Sequence, residues 1–552
     1  MNRWIRLALL MLTVSLVING SASAATYYIA ANGSDSNSGT AKTSPWLHAP
    51  GMPSCTGACA AASPKPGDQF IFRGGDTWHY GTGSPLVGGT WSWTKSGSSG
   101  SPIYIGVDQS WYSGSSWARP ILNGDNPLST SFVSNCTYAR ASDVVMLNAS
   151  YITFDNFEMK GICWTSTAAN IAAMWDIPGG TNTNIIFSNN YCHGWTMPSS
   201  AADNFPCVIT FGGGNLNDAW QFAYNVFDGS DSPHFPVGDT TDCQYAGLNT
   251  AGCASGQGIN GSHSWDMHGN VFRYLGNAVV TGNCHTVHDN LWEYIYNTYS
   301  GVPNPQHPNL MNCLGGVTGD PLYFYNNVIR HTYINENFYL PVRTNAYIFN
   351  NVMYDNMNSV FGVLAAGCFR INAVSNSAAS QNVYIYNNTM GDASCQFIFA
   401  NANAPLTSFN GTGNFENNHF IGFSPGALAS TYIINSGVTA SIKDNGDEIF
   451  QTTAVANTQG YTATNEYSPT SASGATVGAG ADLSTSCGTF STDSELCGGT
   501  SDGVVIQDSD GGEAANFPAI TMIPRQSSWD AGAYQFGASL PTPPTGLSAQ
   551  VQ

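Results

Sequence analysis

A doublet of asparagines recurs along this chain, each time closing a short alternating segment: NIIFSNNYC from Asn184, PLYFYNNVI from Pro321, NAYIFNNVM from Asn345 and NVYIYNNTM from Asn382. With the second Asn as the mark, the series is Asn190, Asn225, Asn270, Asn290, Asn327, Asn351, Asn388 and Asn418, with Asn156 as an earlier member. The gaps run from 20 to 45 residues. An unequal period of that size fits a solenoid whose coils share one plan and carry loops of different length.

Three residues before each mark stand Phe187, Phe222, Met267, Val287, Phe324, Ile348, Ile385 and Phe415, all apolar. That periodicity predicts a strand with one face buried. Val226, Val271, Leu291, Val328 and Val352 follow their marks directly, so a second strand begins after a sharp corner. A third strand is predicted upstream of the first, in PCVITFG from Pro206, NAVVTGN from Asn277, NLMNCLG from Asn309, FYLPVRTN from Phe338 and FGVLAAG from Phe361. The fold class that follows is all-β, a parallel β-helix with an Asn ladder along its corners. The corner Asn is expected to accept the left-handed backbone that β-branched residues refuse and to bond the Asn one coil above. A sandwich or propeller also yields many short strands, but Asn-Gly hairpin turns do not separate these.

The first residues combine a basic start, the apolar LALLMLTVSLVI and Ala22-Ser23-Ala24, which is the pattern of a secretory signal peptide over residues 1–24. No later apolar run is long enough for a membrane span, so export without a span is expected. Residues 25–150 are expected to hold an N-terminal cap and the first coils, 151–423 the regular coils, 424–537 irregular last coils and a C-terminal cap, and 538–552 a Pro-rich tail. Without Arg3 and Arg6, 13 basic residues face 35 acidic ones, a formal charge of -22 that excludes nucleic acid as a partner. The 14 cysteines are an even number and lie in neighbouring couples, which predicts disulfides Cys55/Cys59, Cys243/Cys253 and Cys487/Cys497; the other eight can pair in chain order.

TYYIAANGSDSNSGTAKTSPW, KPGDQFIFRGGDTW, the Asn-Asn coils and PRQSSWDAGAYQF together resemble the secreted right-handed parallel β-helix proteins of the pectate-lyase-like superfamily, over residues 26 to 536. The resemblance implies a right-handed solenoid. For activity it implies a range from polysaccharide lyases, hydrolases and epimerases to proteins that catalyse nothing. The hydrolase pattern of Asn-Thr-Asp, Asp-Asp and Gly-His-Gly is not found, and Asp231-Ser232-Pro233-His234-Phe235 is the nearest string to the epimerase Asp-Pro-His-Asp.

Outward positions follow from the same register. Asp266 and His268, Thr286 and His288, Tyr323 and Tyr325, Tyr347 and Phe349, and Tyr384 and Tyr386 form a strip suited to sugar rings, unless a loop covers it. Three residues after the marks, His193, Asp228, Arg273, Glu293, Arg330 and Tyr354 suggest a surface ion-pair ladder. The longest insertions lie at 229–255, 296–308 and 331–337, and loops on one edge of a solenoid wall a cleft. Beside them stand the candidate base His307, the candidate cation Arg343 and Glu336 as acid or Ca²⁺ ligand, with Asn312, His331 and Tyr339 as substrate contacts and Tyr323, Tyr325 and Tyr347 on the strip. Calcium is the one cofactor these residues suggest. The expected function is a secreted lyase or glycoside hydrolase binding a polysaccharide along the helix; the alternative is a non-catalytic glycan- or wall-binding solenoid. The acidic charge favours a neutral or mildly acidic glycan.

Overall fold

The structure, a computed structural model, describes residues 24–81, 89–130, 133–164, 172–178, 180, 182–196, 206–210, 219–232, 257–261, 265–275, 277–281, 285–295, 309–313, 321–332, 336–342, 345–356, 369–373, 381–391, 396–401, 410–423, 428–434, 439–487, 495–500, 522–525 and 527–537. Three large sheets of 13, 12 and 11 strands are each built from strands of successive coils. Sheet 1 runs from Thr26–Ile29 to Thr439–Asp444, sheet 2 from Thr77–His79 to Ile449–Gln451 and sheet 3 from Trp91–Trp93 to Tyr432–Ile434. Pairing in all three is parallel. One coil comprises Asn309–Cys313 in sheet 3, Leu322–Tyr325 in sheet 1 and Val328–Thr332 in sheet 2. The fold is therefore a right-handed parallel β-helix, the hand that crossovers between parallel strands take.

Alternation fills its interior. Phe324 pairs in register with Ile348, and Ile348 with Ile385; all three are fully buried. Sheet 2 stacks Phe227, Phe272 and Trp292 at centroid spacings of 4.9 and 4.4 Å, and sheet 3 stacks Phe338, Phe369 and Phe397 at 4.9 and 5.1 Å. Like therefore sits on like, at the spacing of neighbouring strands. One expected strand differs: after Asn351 the sheet 3 strand is Phe369–Ala373, whose Phe369 and Ile371 point inward, while FGVLAAG at 361–367 lies outside the described residues. Gln257–Gly261 is a further sheet 3 strand whose single large apolar residue, Ile259, gave too weak a pattern to register.

The doublet divides its work. The first Asn takes the left-handed backbone, with φ of 55° at Asn189, 53° at Asn326, 54° at Asn350, 54° at Asn387 and 57° at Asn417. The expectation had given that task to the second Asn. The second forms the ladder: Nδ2 donates to Oδ1 of the next coil's Asn from Asn190 to Asn225 (3.2 Å), Asn270 (3.0 Å), Asn290 (3.0 Å), Asn327 (3.0 Å), Asn351 (3.1 Å), Asn388 (2.9 Å) and Asn418 (3.0 Å) in turn. Each receiving Oδ1 also accepts the backbone N–H of the Asn below it. Asn156 is not a ladder member. Its φ of 66° places it in the first position, and Phe157 occupies the ladder column, donating its N–H to Asn190 Oδ1 at 3.0 Å. At the other end Glu448 takes the column, its two oxygens accepting from Asn418 N at 2.9 Å and Nδ2 at 3.2 Å. Burial pushes the Glu448 carboxyl well above its ordinary range, against the pull of the Asn418 bonds.

The C-terminal stretch folds back over two outer faces. Ala456, Tyr461, Tyr467, Ala533 and Tyr534 pack on the outward valines and leucine of sheet 2, from Val226 to Val352. Under this cover Arg273 bonds Asp228 at 2.6 Å, and Arg330 bonds Glu293 at 2.7 Å and Glu466 at 3.4 Å. The expected surface ion-pair ladder is thus buried, with Asp228, Glu293, Arg273 and Arg330 between 0% and 5% exposed. Leu483, Leu496 and Trp529 pack on the outer face of sheet 1. Disulfides join Cys55 to Cys59, Cys136 to Cys163, Cys192 to Cys207 and Cys487 to Cys497. Cys243 and Cys253 lie outside the described residues, as do residues 1–23 of the expected signal peptide and the expected tail at 538–552. No helix among the described residues is long and apolar enough to cross a membrane.

Candidate functional site

The outer face of sheet 1 carries two columns of side chains because alternate residues of each strand point outward. In one column Tyr323, Tyr347 and Tyr384 stack at 5.0 Å spacings. In the other, His268, His288, Tyr325 and Phe349 stack at 4.9, 4.7 and 4.8 Å. The strip is real but mostly covered. Tyr325, Tyr347 and Tyr386 are 4%, 6% and 6% exposed under Leu483, Cys487, Leu496 and Trp529, so Tyr325 and Tyr347 are not open sugar platforms. Their apolar rings meet apolar side chains from a segment whose Ser, Thr and Gly content hid that role. Tyr323 and Tyr384 keep partial exposure, and Tyr224, 48% exposed, stands edge-on to His268 at 5.2 Å.

Below the covered coils the strip becomes titratable. Trp265–His268 and Thr286–His288 lie side by side in register, His268 beside His288 and Asp266 beside Thr286. Asp266 Oδ1 accepts from His268 Nδ1 at 3.1 Å and from His288 Nε2 at 3.2 Å, and His288 Nδ1 donates to Asp289 Oδ2 at 2.9 Å. Burial pulls the His288 pKa down, but the bonds to Asp266 and Asp289 overcome it and hold it at about 9. Burial raises Asp266, and the two imidazoles more than offset this, holding it well below the ordinary carboxylate range. Side-chain exposures of 36% at Asp266, 19% at His268 and 15% at His288 leave the group reachable from solvent. It presents two fixed imidazoles and a carboxylate to anything lying along the strip. The sequence pattern placed these residues together on the outward strip but not as a site; the signal was the 20-residue gap from Asn270 to Asn290, which sets equal offsets side by side.

The candidate group around sheet 3 is placed only in part. His307, which precedes the sheet 3 strand Asn309–Cys313, and Arg343, which follows the sheet 3 strand Glu336–Val342, lie outside the described residues, as do 233–255, 296–308 and 333–335 of the insertions. Backbone pairing sets Glu336 beside Asn309, and Tyr339 between Asn312 and Arg370. His331 is placed: its Nδ1 bonds Asp355 Oδ2 at 2.5 Å, and its ring stacks on Tyr294 at 5.0 Å.

No family model matches the chain, and the search of curated proteins found no match. Among solved structures it is similar to a rhamnogalacturonan lyase, at 14% identity and a TM-score of 0.30, over 77% of this chain and 86% of that one. It is similar to the pectate lyase Pel9A at 15% and 0.33, over 93% and 96%. A lacto-N-biosidase from Eubacterium ramulus aligns at 11% and 0.35, over 77% and 68%. At such scores these likenesses carry no weight of their own, and the β-helix rests on the strand order and register described above.

Proposed function

We propose that this chain is a secreted polysaccharide-active protein that holds a glycan along the outer face of sheet 1 and acts on it, as a lyase or a hydrolase, beside Asp266, His268 and His288. The observation that carries the reading is that these three half-buried, mutually bonded groups share the outer face of sheet 1 with the partly exposed Tyr323, which follows Thr286 in the column of Asp266. Sugar rings present C–H faces that suit Tyr323 and Tyr224, and an imidazole or a carboxylate nearby can exchange a proton with the ring or its leaving oxygen. Disulfides and the leader-like start support secretion. The net charge of -20 supports a neutral or mildly acidic glycan.

The test is a panel of plant and bacterial polysaccharides, read by reducing ends and by unsaturated-uronate absorbance, followed by His288→Ala, His307→Ala and Arg343→Ala on whichever glycan is cleaved. Loss of on the order of a hundredfold in rate from His288→Ala alone supports the sheet 1 site. Loss confined to the His307 or Arg343 variant moves the chemistry to the turns flanking sheet 3. Binding to several glycans without cleavage of any makes the chain a binding solenoid instead.

A further inference from the structure

Two groups of side chains bring three potential metal ligands together among the described residues: Asp266, His268 and His288, and Asp444, Asp447 and Glu448. The second is already spent on the fold. Both Glu448 oxygens accept from Asn418, and Asp447 Oδ1 accepts the Asn417 N–H at 3.3 Å, so its carboxylates terminate the solenoid's corner bonds.

The first group differs in chemistry and in direction. We infer that Asp266, His268 and His288 form a binding site for a divalent ion of the zinc class, two imidazole nitrogens and one carboxylate oxygen on one side of the ion, with its remaining positions open to solvent or ligand. The three donor atoms lie within 4.8 Å of one another, and the carboxylate oxygen stands 3.1 and 3.2 Å from the two nitrogens. Ligand atoms about 2.0–2.2 Å from a common ion are about 3.0–3.4 Å apart, so the nitrogen-to-oxygen spacings need little adjustment. Imidazole with carboxylate selects zinc, cobalt or nickel over calcium, which takes oxygen ligands.

The surroundings fix the ligands in a way that a chance meeting of surface side chains does not require. His288 gives Nδ1 to Asp289 Oδ2 at 2.9 Å, which turns Nε2 toward Asp266; a carboxylate behind a histidine is the arrangement that orients metal-bound imidazoles. His288 is also clamped between His268 at 4.9 Å and Tyr325 at 4.7 Å, with the rings within 20° of parallel. Asp289 can serve because it occupies the left-handed corner position, φ 54°, where the coils from Asn326 to Asn417 carry Asn. Replacing Asn by Asp keeps the turn and supplies a negative charge behind the ring.

The site stands on this geometry alone and does not depend on the glycan reading. The test uses the full chain, stripped with a chelator and dialysed. Titration with Zn²⁺ by calorimetry is expected to show one tight equivalent, and Co²⁺ to give visible d–d bands with nitrogen-ligand intensity. His268→Ala and His288→Ala should each weaken Zn²⁺ binding by on the order of a hundredfold, and Asp289→Asn by about tenfold with the stoichiometry kept. His79→Ala, at the separate His79–Asp125 pair, should change nothing. The cobalt spectrum of the unaltered chain needs no variant to fold, and melting curves check the substituted proteins. Absence of a stoichiometric Zn²⁺ equivalent, or an equivalent that survives the His268→Ala/His288→Ala double change, overturns the site whether or not any polysaccharide is cleaved.

Discussion

Replacing Asn351 by Leu interrupts the ladder in mid-solenoid at nearly constant side-chain volume. The Asn351 side chain makes four bonds: Oδ1 accepts from Asn327 N at 3.0 Å and Asn327 Nδ2 at 3.1 Å, and Nδ2 donates to Phe324 O at 3.0 Å and Asn388 Oδ1 at 2.9 Å. Asn327 and Asn388 are fully buried, so water cannot take over. Asn327 N–H loses its acceptor, which costs about 1–3 kcal/mol for a buried donor. The other bonds cost about 0.5–1.5 kcal/mol each, since Asn327 Nδ2 keeps Val287 O and Tyr325 O, and Asn388 Oδ1 keeps Asn351 N. Allowing about 1 kcal/mol for the added apolar burial, the net loss spans about 1.5–6.5 kcal/mol, with a midpoint of about 4 kcal/mol. Coils contact only their neighbours, so the loss should be local. Native-state hydrogen exchange is the fitting assay, and at that midpoint protection of amides in 322–330 and 345–354 should fall by on the order of a hundredfold or more. Asn351→Asp keeps the acceptor and loses the donors; its carboxyl, raised by burial, is neutral at low pH and can then donate, so this variant should regain stability as pH falls. Protection within about threefold of the unaltered chain in Asn351→Leu refutes the account, because even about 1.5 kcal/mol cannot yield so small a change.

Arg330→Met should cost about 3–5 kcal/mol in urea unfolding, because Glu293 and Glu466, each 2% exposed, lose the guanidinium between them; a further Glu293→Gln change should restore part of it. His419 is fully enclosed, its Nε2 on Gln451 Oε1 at 2.8 Å, and burial lowers its pKa to about 4, partly opposed by that bond. The folded value lies below the ordinary 6.5, so the stability is complete above pH 6.5 and is lost as pH falls toward 4, by about 3 kcal/mol. Because Asp176, raised by burial and by Asp143 to about 7, shifts the opposite way, the check is the difference in melting between the unaltered chain and His419→Asn across that window; a flat difference counts against it. Asn290→Leu, two residues from His288, should weaken Zn²⁺ binding, whereas Asn388→Leu should leave it unchanged while destabilising its own coils; equal effects would mean that the ladder does not set the site.

Much of the solenoid was legible in the sequence because its determinants are local and repeated. An apolar residue three before the mark and a branched one after it, coil after coil, leave little freedom for Phe324, Ile348 and Ile385 but to stack. The division of labour within the doublet was not legible, since two identical residues in sequence carry no label for which takes positive φ. Asn156 shows the consequence: a lone Asn looks the same in either position, and only its pairing with the next coil places it one step early. The covered strip was illegible for another reason. Tyr347 lies more than 130 residues from Leu483, and no period links a coil to the segment that folds back on it.

That segment and the candidate site are physically connected. Two of the first asparagines, freed from the ladder by their left-handed turn, hold the returning chain: Asn350 Nδ2 donates to Gly498 O at 2.8 Å, Asn350 Oδ1 accepts from Arg525 Nη2 at 3.1 Å, and Asn417 exchanges two bonds with Ala481. In the coil of His288 the equivalent residue is Asp289, which turns its carboxylate to the imidazole instead. The same backbone position therefore clasps a cover at Asn350 and Asn417 and orients a histidine at Asp289. The open stretch of the strip lies where the corner residues are Tyr224, Gly269 and Asp289, and the covered stretch where they are Asn.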